Sequence, residues 1–457
     1  MGSALKYKEE NDKLIESFLG RTFFKVWKDG GNPNFQSLEI MVNAYCNMSC
    51  QYCYLNRYQQ QLFPDDSCDR DKIMRNLAIF FDWLIENDYK PKIELFSGEL
   101  FSQEIGFQIL EMILYKLAPH YSSSVVVPTN FSFVLDRNRY DRVIDILERS
   151  RKVGFPIYLS ASFDGKYCED QRPFKFQEIG KYEDYGRIWK WKYNDKKNLK
   201  DDYFYNEAFK LAKKYGFGFH PMIYSKNIEK WKDNFLWFQD MLKKYDIPFH
   251  SVYLLEVRNV EWSAKQIYEF GEFIKFLIDW SWKFVGYDIG RYRDFLFKLK
   301  GFNILSSPLT RVGRGIGCSV QSSIYLRPGD LTIGPCHRQC YKHLNSARFK
   351  VEEGKIVGLE ALNPEYLIVQ TSFQAVNQPY CYTCPIKYVC SFGCLGSQYE
   401  ATGDNFTPIP TVCALEHMKI RAMIEKYEEI GILGQVLENT SKEKRDSFML
   451  LREVLRR

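Results

Sequence analysis

Between residues 38 and 258 the chain alternates between two apolar patterns. The short runs are LEIMVN (38–43), KIELFS (92–97), SVVVPTN (124–130), PIYLSASFDG (156–165), FGFHPMIY (217–224) and PFHSVYLLEV (248–257). Their β-branched and aromatic content reads as strand. Between them, stretches such as DKIMRNLAIFFDWLIEN and GFQILEMILYKLA repeat apolar residues every three or four positions, the period of a helix with one buried face. Six β/α units in series predict an α/β fold with a parallel sheet and right-handed crossovers, either doubly wound or a partial barrel. Two more helices are expected over 263–287 and 288–300, a cysteine-rich, turn-rich region over 318–413, and a charged helical tail beyond it. The aromatic and basic segment 166–201 interrupts the alternation, as a solvated excursion or as a flap over substrate.

In parallel α/β folds reactive groups collect where strands end at their C-terminal edge. The first predicted strand runs there into NAYCNMSCQYCYL, which carries Cys46, Cys50 and Cys53. Three thiols in so short a loop suit three corners of a four-iron cluster and leave the fourth iron open. Ser97-Gly98-Glu99, Thr129-Asn130 and Asp164-Gly165 fall at the same edge. This convergence counts for more than any one motif.

With 457 residues, 45% hydrophobic and 26% charged, the chain has the composition of an ordinary globular protein of two or three domains. Aromatics, at 16%, are abundant and mostly expected in the core. No apolar stretch is long enough to span a membrane, and MGSALKYKEENDK has no apolar signal core, so a cytoplasmic location is expected. In that compartment thirteen cysteines point to metal ligands more than to disulfides. The net charge of +6 would fall to near neutral with metal-bound thiolates, and no basic-aromatic module is recognisable, which argues against nucleic acid.

Loop and strand ends together resemble the radical S-adenosylmethionine (SAM) superfamily. Its C-x3-C-x2-C pattern, with an aromatic before the third cysteine, is met by Cys46-NMS-Cys50-Gln51-Tyr52-Cys53. Ser97-Gly98-Glu99-Leu100 resembles the family's Gly-Gly-Glu-Pro, which binds the SAM amino group; Ser97 and Leu100 depart from it, while Ser97 stays small and Glu99 keeps the carboxylate. Asn130 resembles the Thr-Asn strand end. Ser162-Phe163-Asp164-Gly165 resembles the Ser-x-Asp-Gly end of the peptide-modifying branch, which implies Ser162 and Asp164 near the ribose. Arg258, after the sixth strand, is a candidate for the SAM carboxylate or for a surface ion pair. The resemblance implies a partial (β/α)6 barrel over 38–261, preceded by an extension (1–37) and followed by a helical linker (262–317), an auxiliary-cluster domain (318–413) and a helical tail (414–457). It also implies reductive cleavage of SAM to a 5′-deoxyadenosyl radical that abstracts hydrogen from substrate, with a flavodoxin or ferredoxin as electron donor.

Cys381-x2-Cys384-x5-Cys390-x3-Cys394, followed by Cys413, has paired cysteines that a zinc ribbon would also show. The spacing resembles the SPASM domain, and the resemblance implies two auxiliary four-iron clusters, three in all. Cys381, Cys384, Cys390 and Cys413 would hold the outer one. Cys318, Cys336 and Cys394 would hold the inner one, with Cys340 or an open iron completing it. YLRPGDLTIGPCHR resembles the hairpin that carries Cys336. His337 reads as a loop histidine; sulfatase-maturing relatives have an Asp base there, so its absence argues against formylglycine chemistry. Cys68 and Cys168 fit no pattern and read as small buried hydrophobes. SPASM relatives mostly cross-link ribosomally made peptides through thioether or carbon–carbon bonds, so a precursor peptide is the expected substrate. The 37 residues before the first strand are too few for a winged-helix leader-binding domain. Leader recognition would then use the barrel, the insertion or a separate leader-binding protein. Two other readings are a small-molecule or cofactor-biosynthetic radical enzyme, and a non-catalytic zinc or iron–sulfur protein that forms no 5′-deoxyadenosine.

Overall fold

The computed structural model describes residues 2–28, 37–63, 68–175, 202–310, 323–372, 378–390 and 393–456. Ten strands occur among them: β1 (Ser37–Met41), β2 (Lys92–Phe96), β3 (Val125–Thr129), β4 (Ile157–Ala161), β5 (Met222–Ile223), β6 (Leu255–Glu256), β7 (Ser323–Arg327), β8 (Thr332–Gly334), β9 (Ala347–Glu352) and β10 (Lys355–Ala361). The chain separates into two compact units, one of Met1–Ser162, Arg172–Phe217 and Ser319–Ser372, the other of Phe163–Gln171, Gly218–Cys318 and Phe373–Arg457.

The first unit is a mixed α/β body on an eight-stranded sheet of order β10-β9-β8-β7-β1-β2-β3-β4. Strands β7, β1, β2, β3 and β4 run parallel, and β8 to β10 continue the sheet antiparallel. Register and burial make the faces of the parallel strands unlike. Leu38, Ile40, Ile93, Leu95, Val125, Val127, Ile157 and Leu159 lie on one face and are buried, with the helix Arg137–Lys152 against β4. Glu94, Phe96, Val126, Pro128 and Ser160 alternate with them and are only half-buried, and Tyr158 is 40% exposed. A period of two along β2, β3 and β4 thus builds a closed apolar face and an open face, whereas β1 and β7 are buried on both.

The parallel pairing of β1 with β7 was not read from the sequence, because the two strands lie far apart in the chain. The hairpin expected ahead of Cys336 is present as β7 and β8, and β9 and β10 extend it. The exposed edge of β10 is covered by the helix Gly2–Leu19: Asp12 accepts from Ala361 N (2.7 Å), and Glu16 from Leu359 N (3.2 Å). Carboxylates placed there block a free sheet edge. Much of the aromatic content is core, as expected: Phe24, Phe80, Trp83, Tyr89 and Phe349 form one packed cluster with neighbouring ring centroids 5.0–5.3 Å apart for Phe24–Tyr89, Phe24–Trp83, Trp83–Phe349 and Phe80–Phe349.

In the second unit, β5 and β6 form a parallel pair far shorter than the apolar runs suggest, extended by a parallel bridge between Phe219 and Val252. Pro221 has no N–H to donate and separates that bridge from β5. The helix Ala264–Phe284, opened by a Ser263/Gln266 capping box, packs along Pro410–Glu429. Among the described residues no helix is long and apolar enough to cross a membrane.

The two faces predict different tolerances. Leu95→Ala, on the closed face, should cost about 2–5 kcal/mol in denaturant unfolding. Tyr158→Ala, on the open face, should cost less than about 1 kcal/mol.

Candidate active site

Beyond β1 and β2 the chain stays stitched together. Val42 N donates to Phe96 O (2.9 Å), Gly98 N to Asn43 O (3.1 Å) and Glu99 N to Tyr45 O (2.8 Å), so the cysteine loop lies along the Ser97-Gly98-Glu99 turn. A Cβ on residue 98 would stand 2.1 Å from Tyr45 O, which restricts the position to glycine. Ser97 Oγ donates to Asn43 Oδ1 (3.0 Å). Gln103 Nε2 reaches Ser97 Oγ (3.2 Å), Tyr45 O (3.2 Å) and Glu99 O (3.0 Å).

Glu99 is 1% exposed and joins this turn to the end of β3. Its carboxylate accepts from Thr129 Oγ1 (2.8 Å), Asn130 N (2.6 Å) and Phe101 N (3.2 Å). Asn130 Nδ2 donates to Asn47 Oδ1 (2.8 Å) inside the cysteine loop and lies 3.9 Å from Cys46 Sγ. Asn47 Nδ2 in turn donates to Ser132 Oγ (2.8 Å). Between these, the buried Phe131 adopts a left-handed backbone (φ 63°), which costs about 1–2 kcal/mol for a non-glycine residue. The bend returns Ser132 N to Asn130 Oδ1 (2.9 Å).

Ser162 joins from β4, its N–H donating to Thr129 O (2.8 Å). Arg172 donates to Ser162 O (2.7 Å) and places its guanidinium 5.4 Å over the Tyr52 ring. Next to it, Ser49 N donates to Pro173 O (2.8 Å) and Lys175 N to Asn47 O (3.0 Å), clamping the cysteine loop. These residues open the insertion read over 166–201; its remainder, 176–201, lies outside the described residues. Cys46, Tyr52, Ser97, Gly98, Glu99, Asn130 and Ser162 therefore belong to one bonded neighbourhood of the first unit. Asn47, Gln103 and Arg172 were not singled out from the sequence. Asn47 lies inside the cysteine motif and could have been, whereas Arg172 carries no local signal.

Cys46, Cys50 and Cys53 are half-buried, and Cys53 immediately precedes the helix Tyr54–Leu62, at the positive end of its dipole. Burial, reinforced by the Cys50 sulfur and the Glu99 carboxylate, pushes the Cys46 thiol well above its usual range. A bound cation reverses each of these effects and turns such a set into thiolate ligands. Among the described residues, three donors within 4.8 Å of one another occur only at Glu39, Cys336 and His337.

At the Glu39 group, on β1, the carboxylate accepts from His337 N (2.8 Å), His337 Nδ1 (2.9 Å) and Ser323 Oγ (3.3 Å). The imidazole stacks on Phe96 at 4.0 Å. His337 is thus an oriented ring, more than the loop histidine expected. Cys340 is fully buried, lies 3.9 Å from Leu62 O, and is pushed up to about 12 by burial. Cys168 is buried as expected. Cys68 is exposed instead, because it precedes the Asp69 cap of the helix Arg70–Glu86 rather than facing the core. Cys318 lies outside the described residues.

The second unit holds the remaining expected residues. Asp164 accepts from Met222 N (2.8 Å) and from Gln171 Nε2, so its carboxylate ties β5 to the turn after β4. Arg258 is bonded to Glu256 (2.6 Å), with Glu416 at 3.9 Å. Burial opposes its charge, but those carboxylates outweigh it. Burial opposes ionisation of Glu256 too, yet Arg258 and Lys419 hold it at about 2. Cys381, Cys384, Cys390 and Cys413 line one cavity of about 350 Å³ with Ile409 and His417. Burial, then Cys384 and Cys413, push Cys381 up to about 11. Cys394 immediately precedes the helix Leu395–Thr402.

No family model and no curated protein matches the sequence. Solved structures do. The chain is similar to anSMEcpe with bound AdoMet (TM-score 0.52, 14% identity, covering 90% of this chain and 98% of that one). It is also similar to native anSMEcpe with bound AdoMet and Cp18Cys peptide (TM-score 0.51, 15% identity, 87% and 99%). That protein is a SPASM-type radical SAM enzyme. The fold is that of the radical SAM enzymes. At such identity the likeness establishes the radical SAM fold alone, and the site is argued from its own residues.

Glu99 supplies the test of this site. In Glu99→Gln the amide NH2 faces a donor, Asn130 N–H or Thr129 Oγ, and one buried hydrogen bond is lost. Anaerobic unfolding should show a loss of about 1–3 kcal/mol. Thr129→Ser, which keeps the hydroxyl that donates to Glu99 and accepts from Phe131 N–H (3.1 Å), should cost less.

Proposed function

We propose that the chain is a radical SAM enzyme that modifies a ribosomally made precursor peptide, forming a thioether or carbon–carbon cross-link. The observation carrying this reading is the bonded convergence of the Cys46–Cys53 loop, the Ser97–Glu99 turn and Asn130 at one sheet edge. A four-iron cluster and SAM held there, given one electron by an external donor, would supply hydrogen-atom abstraction from an unactivated C–H bond. The chain's residues supply position. Cys46, Cys50 and Cys53 would hold the cluster, with Gly98 allowing the Ser97–Glu99 turn to lie against the loop. Glu99 fixes the turn, Asn130 fixes Asn47 and the Cys46 side of the loop, and Tyr52 under Arg172 closes its far side. Ser162 stands at the next strand end. Asp164 and Arg258 remain candidates, although both are already bonded within the second unit.

The order along the chain, four parallel strands and then a parallel pair, supports reading β1 to β6 as the β/α units of a partial barrel. The cavity lined by Cys381, Cys384, Cys390 and Cys413 supports an auxiliary cluster. The peptide in a solved structure of similar fold supports a peptide substrate. The electron donor and any separate leader-binding protein belong to the same proposal.

Anaerobic purification should yield about twelve irons per chain, as three four-iron clusters require. A Cys46→Ala/Cys50→Ala/Cys53→Ala variant should keep the auxiliary iron and form no 5′-deoxyadenosine from SAM under reducing conditions. Continued cleavage by that variant would refute the assignment.

A further inference from the structure

Taking Cys381, Cys384, Cys390 and Cys413 as the ligands of an auxiliary four-iron cluster, we propose that His417 donates Nε2–H to the Cys384 sulfur and raises the reduction potential of that cluster. His417 lies one helical turn after Cys413 in Pro410–Glu429, so both side chains leave the same face of that helix. Both line the cysteine cavity. His417 Nε2 stands 3.5 Å from Cys384 Sγ, within reach of an N–H···S bond. A metal-bound thiolate carries no proton, so the imidazole must be the donor.

The consequence is electrostatic. Reduction adds a negative charge that spreads onto the thiolate sulfurs, and a fixed N–H aimed at one of them favours the reduced form. Glu416, on the same cavity wall, does not cancel the effect: Lys419 bonds it at 2.8 Å and Arg258 lies 3.9 Å away. Two rival roles fit less well. As an iron ligand, His417 would stand close enough to Cys384 to share its iron, whereas each iron of a four-iron cube takes a single protein ligand. As simple packing, it would leave the potential where it is.

The test uses the full chain, reconstituted anaerobically, with His417→Leu and His417→Gln. Iron per chain is counted and each cluster is titrated potentiometrically by electron paramagnetic resonance. The proposal expects full iron in both variants. One cluster's midpoint should fall in His417→Leu and recover partially in His417→Gln, whose amide also donates. An unchanged midpoint in His417→Leu would overturn it, as would loss of about four irons from that variant, which would make His417 a ligand. A Cys381→Ala/Cys413→Ala variant checks the underlying reading separately. If it keeps all its iron, the cluster assignment itself fails, and the proposal with it.

Discussion

One buried carboxylate holds three loops together. Glu99 follows β2, accepts hydrogen bonds from Thr129 and Asn130 at the end of β3, and donates its own N–H to Tyr45 in the cysteine loop after β1. A carboxylate at 1% exposure would be costly without partners; here its bonds to Thr129 and Asn130 are also positional constraints on the end of β3. Gly98 permits the approach, and the left-handed Phe131 turns the chain so that Asn130 meets Asn47. The expense of burying charge and bending a bulky residue is concentrated where a cluster and its ligand would need a rigid seat. Removing any one of these residues loosens a strand end as well as a contact.

The open face of the sheet follows from simpler rules. Alternation places Glu94, Phe96, Pro128, Tyr158 and Ser160 on one side of the parallel strands, and the same parity carries the chain to Asn130 and Ser162. His337, read from the sequence as a loop residue, is brought onto that face by β7 pairing with β1, where Glu39 orients it and Phe96 stacks on it. A residue's role here depends on a partner some three hundred positions away, which no local pattern encodes.

That contrast marks what was legible. The first four strands were readable from period-two apolar runs, and the cysteine loop, Ser97–Glu99 and Asn130 from their place at strand ends. The lengths of β5 and β6 were not, since Pro221 and irregular backbone consume the apolar runs around them. The β7–β8 hairpin was expected from YLRPGDLTIGPCHR, but its seat beside β1 is a pairing between segments far apart in the chain, which no local pattern encodes, and β9 and β10 were not read from the sequence. Arg172, seated over Tyr52, is an isolated arginine in the sequence and gains meaning only from the fold. His417 is similar: its spacing from Cys413 is visible, but its nearness to Cys384 is tertiary.

In the proposed reading Cys46, Cys50 and Cys53 would hold three irons of a cluster and leave the fourth for SAM. The decisive measurement is electron–nuclear double resonance on the reduced protein, with SAM labelled with 15N at its amino group. A resolved coupling between that nitrogen and the cluster is expected, lost in the variant lacking the three loop cysteines. A cluster spectrum unchanged by SAM, with no nitrogen coupling, would contradict it.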